Sequence, residues 1–409
     1  MEMSAASTTS AAIGVARADC RALAMRARND AFSFWKLPEQ WRDELEPMIL
    51  SSEFIAERFL FESYLSRGGH RQSRPMQAYY KIKRLIPRRV RHRLNAAAIR
   101  ARVRPEFPNW PCESALLEFW GEWLRLSLAI LGRDDGWHIG FWPDGYQCCV
   151  VLTHDVESSS GFARIERIAD LEERYGFRSA WNLPLTQYRI DWNLVTRLRA
   201  RGFEFGAHGL SHDGRLFRSA RDFATLSPIV ERMAAAHGLR GFRAPSTLRN
   251  AWWIATMAFD FDSSFSDTDP YEPQPGGTCS LFPFMLSRMV ELPYTLPQDH
   301  TLIHLLHRSP LPIWAMKANW IASVGGMILT LTHPDYIGEG RLLGAYEDLL
   351  RVLAELPSSW RALPSEVAGW WRERAELQLS IENGGQPVIR APGSRRATVR
   401  RLSEHPLAR

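Results

Sequence analysis

Two hydrophobic periods run through the chain, and one gives way to the other near residue 145. Before that point apolar residues recur at helical spacing, with Phe54, Phe59, Phe61 and Leu65 in one stretch. A second, Leu116 to Leu131, also carries Glu118, Glu122 and Arg125. Such spacing lays an apolar stripe along one side of a helix and predicts amphipathic helices on a core. Gly68-Gly69 and then Pro105, Pro108 and Pro111 interrupt the pattern. After residue 145 short apolar runs alternate with helical stretches. Strands are expected at 147–153, 179–182, 203–207, 241–244, 261–265, 290–295 and 327–332. Helices are expected at about 161–175, 191–201, 219–237, 310–324 and 340–356. The alternation predicts an α/β fold of parallel βαβ units, and about seven such strands can close into a (β/α) barrel. Chemistry in such a barrel belongs at the C-terminal ends of the strands.

The pattern divides the chain into four parts. Residues 1–30 are small, polar and aperiodic and read as disordered; 31–145 form a helical, basic N-terminal region; 146–377 form the barrel. Residues 378–409, with ENGGQP and APGSRRATVRR, show no period and read as a disordered tail.

Composition adds constraints. At 409 residues the chain exceeds one typical compact domain, and 45% hydrophobic content supplies a sizeable core. No apolar run reaches the roughly 18 residues of a membrane span, and no secretory h-region is evident. The five Cys are odd in number and lack CxxC spacing, which points to a reducing compartment, the cytoplasm. The net charge of +6 is concentrated: 81–104 holds ten Lys or Arg and no acid, so the remainder is net acidic. Such a block suits an anionic membrane surface, here the inner face of a membrane, or is simply a solvated basic helix; nucleic acid ranks below both. The 16 Trp are numerous, and Trp is suited both to cores and to stacking on sugar faces.

Four polar motifs each follow an expected strand. Thr153-His154-Asp155-Val156-Glu157 sets two acids at i, i+2, able to point the same way so that one binds metal and one stays a free base. His208-Gly209-Leu210-Ser211-His212 spaces two imidazoles at i, i+4, within reach of one ion. Gly241-Phe242-Arg243-Ala244-Pro245 offers a guanidinium that could orient a carboxylate, and Leu331-Thr332-His333-Pro334 a third imidazole for acid catalysis. Each alone has a plain structural reading, as a strand-end acid, a core histidine or an ion pair. The polar, Pro-rich DTDPYEPQPGG is expected to line the cleft, with Asp269, Tyr271 and Glu272 as substrate contacts and Trp252 as a stacking residue. Asp299 and His300 are expected to face the mouth.

In this order the motifs resemble the polysaccharide deacetylase (carbohydrate esterase) superfamily over about 146–374. FWPDGY, HGLSHDG and ELPYTLPQDHT resemble a subgroup without an established substrate. The resemblance implies a distorted (β/α) barrel and a metal-dependent hydrolase that removes N-acetyl groups from a sugar or polysaccharide precursor. It implies Asp155 as base, Arg243 as its tether and His333 as general acid, with Glu157, His208 and His212 holding a divalent metal, Zn²⁺ by ligand type. The sequence departs from the pattern where Val156 separates the acids, where Glu replaces Asp at 157, and at Gly209, where a hydroxyl residue is common. Which acid binds metal stays open. Two other readings stand: an amide hydrolase acting on a non-sugar substrate, and a non-catalytic scaffold that binds membrane or polymer.

Overall fold

Among the described residues the N-terminal layer is built from three helices, α1 (Ala31–Trp35), α2 (Arg42–Leu60) and α3 (Ala115–Ile130). The computed structural model describes residues 29–65, 106–382, 384–390 and 395–408; most of the expected disordered 1–30 and all of the basic 81–104 lie outside them. Helix α1 begins where the Asp30 carboxylate accepts the Ser33 N–H at 2.8 Å. The apolar stripes of α2 and α3 meet through Leu45, Ile49, Ala56, Leu116, Trp120 and Leu124, all buried. Aromatic contacts carry this core onward, with Phe34 stacked on Trp120 at 4.7 Å, Phe141 at 4.8 Å from Phe34, and Phe282 at 4.7 Å from Phe141.

Beyond the short strand β1 (Trp137–Ile139), the apolar run CCVVLT becomes β2 (Cys148–Asp155), buried at every position because both faces are covered. Strands β3 (Ser179–Leu183), β4 (Glu204–Ala207), β5 (Gly241–Phe242) and β6 (Phe261–Asp262) add in parallel, in that order. A hairpin of β7 (Phe284–Leu286) and β8 (Met289–Glu291) follows, with β8 parallel to β6. Strand β9 (Met327–Leu329) pairs with the other edge of β2. The ring closes where the Thr295 and Leu296 N–H groups donate to Leu329 O at 3.0 and 3.1 Å. Seven parallel strands thus make a distorted (β/α) barrel, with β10 (Ser359–Arg361) added beside the start of β2. The intervening helices include α4 (Ser159–Phe162), α5 (Ile165–Arg174), α6 (Trp192–Ala200), α7 (Ala220–Ala236), α8 (Ala251–Ile254), α9 (Leu311–Ser323), α10 (Pro334–Ile337), α11 (Gly340–Ala354) and α12 (Pro364–Glu376).

The expectation of a disordered tail is corrected. Strands β11 (Gln378–Ile381) and β12 (Pro387–Arg390) form an antiparallel pair, and β13 (Val399–Arg401) pairs with β1. Leu402 is fully buried, and the Arg401 guanidinium lies 3.9 Å from the centre of the Trp137 ring. Apolar contacts separated by about 260 residues hold this segment, so no local period announces it. Cys112, Cys148, Cys149 and Cys279 carry free thiols. Among the described residues no helix is long and apolar enough to cross a membrane.

Candidate active site

Each of the four motifs follows a barrel strand. Asp155 ends β2, His208 follows β4, Arg243 follows β5, and His333 comes four residues after β9. Their side chains meet at the C-terminal rim, while the neighbouring His154 points into the wall. There His154 stacks on Trp181 at 4.1 Å and its Nε2 lies 2.7 Å from Glu172 Oε1, a structural role.

Asp155 is buried, and its Oδ1 accepts from Asn182 Nδ2 at 2.9 Å and Arg243 Nη1 at 3.3 Å. Arg243 is itself fixed, donating from Nε to Ser263 O at 2.7 Å and from Nη1 to Thr153 Oγ1 at 2.8 Å. Burial pushes the Asp155 carboxyl up, but His208, Arg243, His333 and the Asn182 hydrogen bond outweigh it and hold the group below its ordinary pKa. Asp155 is therefore an oriented carboxylate with Oδ2 facing the site.

His208 faces that oxygen. Its Nδ1 lies 3.0 Å from Arg243 O; a carbonyl only accepts, so this bond puts the ring proton on Nδ1 and leaves a lone pair on Nε2. Nε2 is buried without a hydrogen-bond partner, 3.7 Å from Asp155 Oδ2 and too far to bond with it. Burial lowers the His208 pKa to about 4 against the opposing pull of Asp155, so the ring is neutral at physiological pH. A neutral imidazole with one nitrogen anchored to a backbone carbonyl and the other bare is the form a divalent metal takes up. Gly209 beside it has φ +66°, and a Cβ there would meet Pro245 Cγ at 2.8 Å. That approach explains why this position carries no hydroxyl side chain.

The second acid and second imidazole form an outer pair. Glu157 Oε1 lies 2.9 Å from His212 Nε2, and both side chains are partly exposed. The Ser246 N–H points at the same Nε2 from 3.1 Å; one ring nitrogen carries either a proton or a lone pair and serves only one of these groups. Two residues missing from the sequence-based set shape this pair. Asp335 Oδ2 accepts the Glu157 N–H at 3.1 Å, and Gln187 Oε1 accepts the His212 N–H at 2.6 Å. The family resemblance implies Glu157, His208 and His212 around one ion, with the choice between Glu157 and Asp155 open. In the structure the side chains stand as two pairs, Asp155 with His208 and Glu157 with His212. Among the described residues no three His, Cys, Asp or Glu side chains are gathered closely enough to hold a metal.

His333 borders both pairs, with Nε2 3.9 Å from Glu157 Oε1. Asp299 holds it twice, accepting the backbone N–H at 2.8 Å through Oδ2 and lying 2.7 Å from Nδ1 through Oδ1. Burial lowers the His333 pKa, but Asp299, Glu157 and Asp155 together raise it to about 10, so the ring is an imidazolium. The sequence placed Asp299 near the mouth; its grip on His333 emerges only from the fold.

The loop residues are largely enclosed. Asp269 and Tyr271 are buried: Asp269 Oδ1 accepts the Tyr271 N–H at 2.9 Å, and the Tyr271 ring packs edge-on against Trp110 at 5.0 Å. Glu272 is buried between Thr247 Oγ1 at 2.8 Å and Gln298 Nε2 at 2.6 Å. Trp252 remains partly exposed, with its ring 5.5 Å from that of Phe61.

No family model and no curated protein matches the chain. Among solved structures it is similar to a Mycobacterium smegmatis protein classed as a polysaccharide deacetylase, at 17% identity, covering 60% of this chain and 97% of that one with a TM-score of 0.49. It is similar too to a Pseudomonas aeruginosa PAO1 protein of the same class, at 13% identity over 56% of this chain and 92% of that one, with a TM-score of 0.46. The Puue allantoinase is similar at 13% identity over 57% of this chain and 92% of that one, with a TM-score of 0.45.

Proposed function

We propose that the chain is a metal-dependent hydrolase that removes N-acetyl groups from a sugar or a polysaccharide precursor. The observation that carries this reading is the meeting of three prepared groups at one rim: a bare neutral imidazole on His208, a tethered carboxylate on Asp155, and an imidazolium on His333.

In this reading His208 and His212, which stand in two separate acid–imidazole pairs, would together hold a divalent ion of zinc type, with one of the two acids completing the set. Glu157 is the acid assigned by position, and Asp155 is the one facing His208. When bound, the ion supplies Lewis-acid polarisation of the acyl carbonyl and lowers the pKa of water. Asp155, held by Arg243 and Asn182, takes a proton from the attacking water through Oδ2. His333, kept charged and aimed by Asp299, delivers a proton from Nε2 to the departing amine nitrogen. The half-open Glu157–His212 side admits the substrate, and the buried Asp155–His208 side excludes bulk water. The basic segment 81–104 is the proposed contact with an anionic membrane surface, which would place the enzyme at the inner face of a membrane.

The test is acetate release from N-acetylated oligosaccharides by the purified chain, with and without Zn²⁺, after chelation. Activity that vanishes with chelator and returns with metal supports the reading. Metal uptake without acetate release from any N-acetylated saccharide refutes it, and hydrolysis confined to non-sugar amides transfers the site to the alternative substrate class. Sedimentation with anionic but not neutral vesicles checks the membrane contact.

A further inference from the structure

The turn that meets His212 is not secured by the barrel alone. Ser246 and Thr247 are consecutive non-glycine residues in the left-handed region, with φ 57° and 47°, and such a pair persists only where neighbours over-determine it. Ser246 approaches His212 twice, with its N–H 3.1 Å from Nε2 and its Oγ 3.2 Å from Nδ1. Arg249 fastens the turn from behind. Its Nη1 donates to Thr247 O at 3.2 Å and to Gln274 O at 3.1 Å, and its backbone N–H and C=O are both taken by the Gln274 side chain at 3.0 Å. Arg249 is buried, and its charge is balanced by Glu62, also buried, which accepts from Nε at 2.8 Å and from Nη2 in a two-point contact. Glu62 lies in the N-terminal region, two residues past the end of α2, and itself adopts a left-handed φ of 52°.

We infer that Glu62 is a positioning residue of the active site: through its buried two-point pair with Arg249 it fixes the Ser246–Thr247 turn against His212, which makes the helical N-terminal region an integral part of the site. A buried guanidinium deprived of its carboxylate must find water or another acceptor. Either response pulls Nη1 from the Thr247 carbonyl and frees a turn whose backbone is costly to hold. The inference deepens the proposed function, since His212 matters here as a proposed metal ligand, yet its first consequence is structural.

The experiment uses the full-length chain with Glu62→Gln, which keeps shape and removes charge. Hydrogen exchange at the Ser246 and Thr247 amides is compared with that at Val151 in the barrel core, and Zn²⁺ affinity is measured by calorimetry. Glu113→Gln is the control, because Glu113 is also a buried acid of the N-terminal region but caps its own segment, accepting from Asn109 N and Ala115 N. The expected result for Glu62→Gln is at least tenfold faster exchange at Ser246 and Thr247, unchanged exchange at Val151, and Zn²⁺ affinity weakened tenfold or more. Glu113→Gln should change none of the three. Should Glu62→Gln fail to fold, Glu62→Met with Arg249→Met removes both charges together, and the same exchange contrast is expected. Protection at Ser246 and Thr247 equal to that of the unaltered chain, in whichever variant folds, overturns the inference. Faster exchange without acetate release by the unaltered chain upholds the positioning role and defeats the deacetylase reading instead.

Discussion

His333 is charged because Asp299 lies against Nδ1, and this dependence can be measured. Asp299→Asn should bring the His333 pKa down from about 10 toward the imidazole range, as followed by NMR titration of the ring. The sign for stability follows from the raised value. The imidazolium contributes fully below the unfolded-state pKa of about 6.5, and the contribution fades as pH climbs through about 10, so denaturation midpoints should fall over that interval and fall less in Asp299→Asn. If the proposed chemistry holds, His333→Ala should lower kcat by about 10²–10⁴-fold, the usual worth of a general acid. Asp155, His208, Arg243 and His333 were legible because each follows an apolar run in a recognisable order. Asn182, Ser246 and Asp335 were not, since each earns its place by contacts 27 to 178 residues away in sequence; Asp299 was expected at the mouth, but its hold on His333, 34 residues away, was not. The acid–imidazole pairing was legible only in membership. The family resemblance put Glu157 with both histidines, whereas the Arg243 carbonyl turns His208 toward Asp155.

Turns set where these side chains point, and Gly209 combines a left-handed φ of +66° with a close neighbour in Pro245. Gly209→Ala should cost about 1–2 kcal/mol for a left-handed residue with a Cβ, and more if Pro245 cannot yield, read as a shift in the denaturant midpoint. Metal affinity should fall with it, because the same turn carries His208. The seven strands expected between 147 and 332 all occur at those places, though β5 and β6 shrink to two residues where the ladder gives way to side-chain bonds from Arg243 and Ser264. Buried parallel strands announce themselves as apolar runs bounded by polar motifs. Strands β7, β10 and β13 carry too few residues to show any alternation, so they escaped notice.

The molecule joins its helical layer, barrel and C-terminal strands through one apolar core. Leu402→Ala tests that union: a fully buried leucine in such a core is worth about 2–5 kcal/mol, whereas one in a loose appendage would change the unfolding free energy by less than about 0.5 kcal/mol. The acidic remainder of the chain, set against ten basic residues and no acid at 81–104, also predicts that the proposed vesicle binding weakens as ionic strength rises. The pairing of Trp137–Ile139 with Val399–Arg401 has a bearing on biosynthesis. While the polypeptide is still being made, the earlier strand waits unpaired through some 260 further residues of translation, a delay on the order of tens of seconds at ordinary elongation speeds. The His405 ring, which packs edge-on against both Trp35 and His138, arrives only at the end of that interval, so this aromatic cluster is completed last.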